Sequence, residues 1–130
     1  MKRDAFDKRE IEINEWIPAE QFQLYMSKIA NAPQNVSSGQ MTYYFNTHEV
    51  TLPLHIRTPE KGDRIQLFGM KDAKRVSRIF IDEKIPSSAR SHWPLLVDAN
   101  ENILAVIGVR ISDKLSKVRR PIDDYLLSIK

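Results

Sequence analysis

Short runs of branched and aromatic residues, each cut off by a proline or a polar turn, recur along this chain, and a single stretch keeps a helical period. Such a pattern builds sheets rather than a helical bundle. Residues 10–17 place Ile11 and Ile13 in alternation before Trp16-Ile17, which predicts a strand ended by Pro18. Residues 22–29 fit two periods: Phe22, Leu24 and Met26 alternate, whereas Phe22, Met26 and Ile29 lie at helical spacing. The alternation favours a strand. Residues 41–45 and 50–57 also read as strands. From 73 to 84, Val76, Ile79, Phe80 and Glu83 recur as on one helix face until Pro86 stops the run, and Ser87-Ser88 can cap a short turn through Arg90. Residues 95–97 and 103–107 predict a hairpin across the polar turn 98–102, and 125–129 a last strand. The sum is a strand-rich α+β domain with one amphipathic helix near its middle. The Asn-, Pro-, Ser- and Gly-bearing stretch 31–40 is the natural boundary. It divides residues 1–40, strands leading in from a preceding domain or a packed edge, from a domain over 41–130.

Chemistry is harder to find. There is no cysteine, which excludes disulfides, thiolate nucleophiles and cysteine-ligated zinc and fits a reducing compartment. No apolar run reaches the roughly 18 residues of a membrane helix. The opening Met1-Lys2-Arg3-Asp4 is charged, so the expectation is a cytoplasmic chain. Gly39, Gly62, Gly69 and Gly108 are too scattered for a phosphate loop. Ser37-Ser38 and Ser87-Ser88 lack a nucleophile-elbow pattern, and His48, His55 and His92 stand singly. The pairs Asp82-Glu83 and Asp123-Asp124 point apart on any regular element, and Asp82 reads as an acceptor in the turn towards Pro86. Trp16 and Trp93 read as packing residues. Neither a catalytic residue nor a metal ligand is expected.

Charge carries the information instead. Residues 53–93 hold nine Lys/Arg against five Asp/Glu, while residues 1–52 hold five against seven. A strand delivers Arg57 to the turn 58–63, where Gly62 permits the tight backbone and Asp63 can bond turn amides. Lys61 and Arg64 flank that turn. Lys71, Lys74, Arg75 and Arg78 recur at three- and four-residue spacing, which on a helix makes one basic face opposite Val76, Ile79 and Phe80. Like charges so placed repel by a few tenths of a kcal/mol per pair, which a polyanion relieves. A-form RNA, recognised largely by shape, phosphates and 2′-hydroxyls, suits this surface. A solvated face partly neutralised by Asp72, Asp82 and Glu83 is the bland alternative.

The same segment resembles the C-terminal domain of bacterial tRNA(Ile)-lysidine synthetases. Their pattern appears here as Arg57, Gly62-Asp63-Arg64, Gly69-Met70, Lys71 with Lys74-Arg75, Phe80-Ile81-Asp82, Lys84, Pro86, Arg90, Trp93-Pro94, Leu96-Val97-Asp98 and Gly108-Val109-Arg110. The likeness covers residues 52–110. Departures are Ala105-Val106-Ile107 in place of a Trp-hydrophobic-Pro, the acid Asp72, and Gln66-Leu67-Phe68 where proline or lysine is common.

The resemblance implies a layered fold containing a β-sandwich, similar to a domain of the phenylalanyl-tRNA synthetase beta subunit. It also implies a role in an enzyme that uses ATP to join lysine to C2 of the wobble cytidine of isoleucine tRNA (anticodon CAU). ATP and lysine are then used by an N-terminal catalytic domain whose Ser-Gly-Gly-x-Asp-Ser loop does not occur here. This chain is expected to be inactive alone, to need no cofactor and to grip tRNA. The expected phosphate or sugar contacts are Arg57, Lys61, Arg64, Lys71, Lys74, Arg75, Arg78 and Arg90. The alternative is a protein–protein module docking on the catalytic domain or on a second copy of itself as a homodimer.

Overall fold

The structure, a computed structural model, describes residues 8–32 and 41–130. The charged N-terminus, the Ser37-Ser38 pair, Gly39 and residues 33–40 of the expected link lie outside the described residues.

The chain enters through β1 (Lys8–Glu10), then forms β2 (Ile17–Ala19), β3 (Phe22–Lys28) and a 3-10 turn over Ile29–Asn31. Next come β4 (Met41–Phe45), β5 (His55–Arg57), β6 (Arg64–Ile65) and β7 (Lys74–Arg75), which runs straight into α1 (Val76–Asp82). A second short helix, α2 (Ser87–Arg90), precedes β8 (Leu95–Val97), β9 (Ile103–Val106), β10 (Arg110–Ile111) and β11 (Tyr125–Ile129).

These strands make an antiparallel sheet ordered β1-β5-β8-β9-β10, a second ordered β2-β3-β11-β4, and the hairpin β6-β7. Side chains alternate across a strand, so each sheet offers one set of residues to each face. Leu24, Met26, Phe45, Leu127 and Ile129 of the four-stranded sheet meet Ile56, Leu96 and Leu104 of the five-stranded one. That contact is the expected β-sandwich. On the opposite face of the five-stranded sheet, Leu95, Val97, Ile103 and Val106 pack against Ile65, Leu67, Val76, Ile79 and Phe80. The described residues therefore form three layers: sheet, sheet, and a cover of α1 with the hairpin. β8 and β9 are buried at every residue because both their faces are covered.

A seven-residue helix cannot stand alone in water. α1 persists because Val76, Ile79 and Phe80 are buried, each contributing about 2 kcal/mol through the apolar area removed from water.

Five elements differ from their sequence expectations. Ser87-Ser88, expected as a cap, are the first two residues of α2, whose N-cap is Pro86 with no side-chain cap hydrogen bond. Residues 10–17 are not one strand: β1 ends at Glu10 and Ile13 makes an isolated bridge to Met26. Pro18 lies inside β2, tolerated because β2 is an edge strand. Of residues 50–57 only His55–Arg57 join a ladder; Pro53 has no N–H to donate. The helix begins at Val76 rather than Ala73, because Lys74 and Arg75 pair with Ile65 and Arg64. Glu83 falls beyond its end, exposed, with Arg110 at 3.8 Å.

Candidate nucleic-acid interface

Sheet parity decides where Arg57 goes. It pairs directly with Leu95, and His55 with Val97, so both point into the layer that holds α1 and the hairpin. Arg57 is 5% exposed there. Its guanidinium donates to both oxygens of Asp63 (Nη1–Oδ2 3.0 Å, Nη2–Oδ1 2.9 Å) and to the Thr58 carbonyl at 3.0 Å. Burial alone pulls the guanidinium pKa down. The bonds and charge of Asp63, with Glu60 and Glu101, outweigh that and leave it raised. Arg57 is thus an internal strut, not a surface cation.

The strut shapes the 58–63 turn. The Glu60 N–H donates to Asp63 Oδ2 at 2.7 Å, the Asp63 N–H to the Glu60 carbonyl at 3.1 Å, and Gly62 takes the left-handed φ of +87° that the bend needs. The Asp63 carbonyl then accepts the Val76 N–H at 2.9 Å, which fastens the turn to the start of α1. On the other side, buried Asp98 accepts the N–H groups of Asn100 and Asn102 and so builds the turn that presents Glu101. Glu101 reaches His55 at 3.5 Å and Arg57 at 3.6 Å.

Between the 58–63 turn, the first turns of α1 and α2 lies a cleft of about 470 Å3. Its cations are Lys61, Arg75 and Arg90, its acids are Glu60 and the Arg57-paired Asp63, and its apolar side is formed by Val76, Phe80 and Ile81. Arg90 is oriented by donating from Nε to the Ile85 carbonyl at 2.8 Å. Three of the expected contacts, far apart in sequence, are therefore gathered around one concavity of the size that small organic groups occupy.

The other expected contacts distribute differently. Lys71, Lys74, Arg75 and Arg78 do not share a helix face: Lys71 is in the hairpin loop, Lys74 and Arg75 are on β7, and only Arg78 is on α1. Asp82 holds two of them, with Lys74 Nζ at 2.6 Å and Arg78 Nε at 3.1 Å. Chiefly through the Lys74 hydrogen bond, its carboxyl lies below the usual aspartate range. Asp82 is accordingly a clamp on the basic surface rather than an acceptor in the turn towards Pro86. Arg64 crosses the hairpin, its Nη1 3.5 Å from the Ala73 carbonyl. Lys61, Lys71 and Arg75 are exposed and make no ion pair among the described residues.

Sequence reasoning missed Lys114, which joins Arg64 in a small polar cleft of about 170 Å3. The run Lys114, Lys117, Arg119, Arg120 was the available signal, hidden by the acids around it. Trp93 is a packing residue: its Nε1 donates to the Ile107 carbonyl at 2.8 Å, and its ring packs edge-on to Phe22 and Phe80. Trp16 packs on Tyr25 beneath the Lys130 ammonium. Among the described residues no three acidic or imidazole groups come together as metal ligands, and no helix is long and apolar enough to cross a membrane. Gly62, Gly69 and Gly108 lie in three separate turns.

Comparison with known proteins agrees with this architecture. Residues 54–121 match the family described as the TilS substrate C-terminal domain. A tRNA(Ile)-lysidine synthase of Bacillus licheniformis is 42% identical over 72 residues, 55% of this chain and 15% of the relative. That of Bacillus subtilis is 39% identical over 83 residues, 64% of this chain and 17% of the relative. The chain thus spans about a sixth of the length of these relatives. Among solved structures, a crystal structure of a TilS C-terminal domain superposes with a TM-score of 0.77 at 27% identity, covering 95% of both chains. An N-terminal fragment of the phenylalanyl-tRNA synthetase beta subunit from Pyrococcus horikoshii shares the fold: TM-score 0.55, 16% identity, 69% of this chain and 28% of that one.

Proposed function

Because the chain belongs to the family of the TilS substrate C-terminal domain, we propose that it is the part of a cytosolic tRNA(Ile)-lysidine ligase that holds the body of isoleucine tRNA. The lysidine reaction, ATP-dependent joining of lysine to C2 of the wobble cytidine, is assigned to a catalytic domain outside these residues. This chain alone contributes no chemistry. Its residues bind and orient.

The observation that carries this reading is the cleft bordered by Lys61, Arg75 and Arg90, with Lys71 and Arg64 on the adjoining hairpin. Its cations are set on short, mutually braced elements. Such a surface meets phosphates at fixed spacing, and phosphate contacts set position without reading sequence. Arg57 is assigned to shaping the 58–63 turn; Lys74 and Arg78 are reserve cations held by Asp82.

Titration with folded isoleucine tRNA (anticodon CAU) and an unrelated tRNA, at two salt concentrations, tests the reading. The expected result is salt-sensitive binding to both, with the log–log slope reduced by about one unit per cation removed when Lys61, Lys71 and Arg75 become alanine. No binding to either tRNA at low salt would reject it. Stoichiometric binding to the catalytic domain or to a second copy would then replace it.

A further inference from the structure

Phe68 is 90% exposed, the most exposed of the large apolar side chains among the described residues. Its ring packs on no other aromatic ring among the described residues. An aromatic ring left in water forfeits the burial that ordinarily justifies it, and here the backbone fixes it in that position.

The fixing is specific. Phe68 is the second residue of a four-residue turn closed by the Met70 N–H donating to the Leu67 carbonyl at 3.2 Å. Gly69, third in the turn, has φ +78°, the left-handed value of a type II bend. Leu67 is 3% exposed and anchors the turn in the layer beneath α1. From the far side of the turn, Gln66 Nε2 donates to the Met70 carbonyl at 2.7 Å. The loop is tied at both ends, so little backbone entropy remains to be lost when a partner arrives.

Charge selects the partner. Arg64, on β6, precedes the turn by three residues and Lys71 follows it, both exposed, with the exposed acid Asp72 after the lysine and half-exposed Met70 between ring and lysine. An apolar protein surface settling on Phe68 would have to strip water from these cations without compensating them. An RNA strand offers a flat π face for the ring and phosphates for the cations together.

We propose that Phe68 is a stacking platform for an unpaired base of the bound RNA, with Arg64 and Lys71 on the flanking phosphates. This rests on the RNA-holding function proposed above, and it adds a contact that backbone phosphates alone do not make.

The test uses the whole chain with folded isoleucine tRNA. Phe68→Ala should weaken binding about tenfold or more, the loss expected for one base–aromatic stack. The salt slope should stay unchanged, since no counterion-releasing contact is removed. Phe68→Trp should keep the affinity, and the added indole fluorescence should be quenched on binding. Neither variant should shift the melting temperature, because the ring is in water. Phe68→Ala binding tRNA as tightly as the unaltered chain, or an unquenched tryptophan at position 68, would overturn this assignment alone. Loss of association with the catalytic domain at unchanged tRNA affinity would overturn it in favour of a protein contact. Failure of the unaltered chain to bind tRNA would overturn it together with the function it rests on.

Discussion

Arg57 and Asp63 meet as a two-bond pair, Nη1–Oδ2 3.0 Å and Nη2–Oδ1 2.9 Å, with the arginine side chain 6% exposed and the aspartate side chain 10%. The pair joins β5, an inner strand of the five-stranded sheet, to the turn that bounds the cleft of Lys61, Arg75 and Arg90. Removing one partner leaves a buried charge uncompensated. Arg57→Ala should therefore lower unfolding free energy by about 3 kcal/mol or more in urea titrations. Arg57→Lys should recover little of it, because an ammonium cannot make the paired fork. The salt slope of RNA binding by the folded variant should stay near that of the parent; a drop of one unit would make Arg57 a phosphate contact after all.

Asp82 restrains Lys74 and Arg78 together. Asp82→Asn removes one negative charge from the basic surface and releases both cations. Binding to tRNA at low salt should tighten by roughly threefold to tenfold, with a slope steeper by up to about one unit. Unchanged affinity would place Lys74 and Arg78 outside the interface.

Asp123 links the last strand to the loop after β4. It is 3% exposed and accepts from Arg120 Nε at 3.0 Å and from Asn46 Nδ2 at 3.4 Å. Burial pushes its carboxyl pKa up, but the Arg120 side chain and backbone, Asn46 and the Arg120 charge together bring it below the ordinary value. A carboxylate with a depressed folded pKa gives stability that is present above its unfolded pKa, about 3.9. That stability is lost as pH falls through the folded value, because the unfolded chain takes up the proton first. Melting temperature should be flat above about pH 5 and fall below about pH 4. Asp123→Asn should start lower and fall less steeply; an identical acid profile would assign the sensitivity to other carboxylates, Asp82 first.

Gly108 has φ +79°, and a methyl group on its Cα would sit 2.5 Å from Phe22 Cζ. The Phe22 ring cannot withdraw freely, since it packs against Trp93 at 5.9 Å between centroids. Gly108→Ala should destabilise by about 1–3 kcal/mol, from left-handed strain and overpacking together. A loss under about 0.5 kcal/mol in chemical denaturation would show that the ring turns aside without cost.

What could be read in advance followed from local chemistry. The alternation in residues 22–29, the aromatic-rich 41–45, the hairpin of 95–97 and 103–107 and the strand 125–129 each carry period and punctuation within a few residues, and strands formed at each, one residue shorter than expected at Ile29 and Ile107. Val76, Ile79 and Phe80 were legible as a buried helix face because helical spacing is local too. The basic character of the middle third was equally plain, as were Gly62 and Asp63 as makers of the turn.

Tertiary structure decided the rest, for reasons no window of residues contains. Helical spacing cannot reveal that Lys74 and Arg75 will be taken by a ladder with Arg64 and Ile65, since that pairing depends on how the hairpin closes over the sheet. Nor can charge alone separate Arg57 from Arg75. One is turned inward by its register opposite Leu95 and neutralised by Asp63; the other faces the cleft. Composition and period thus determined the longer strands, which face of the helix is buried and that the surface is basic. Register and layer packing, which act between residues distant in the chain, determined which cations support the fold, which are clamped and which remain exposed.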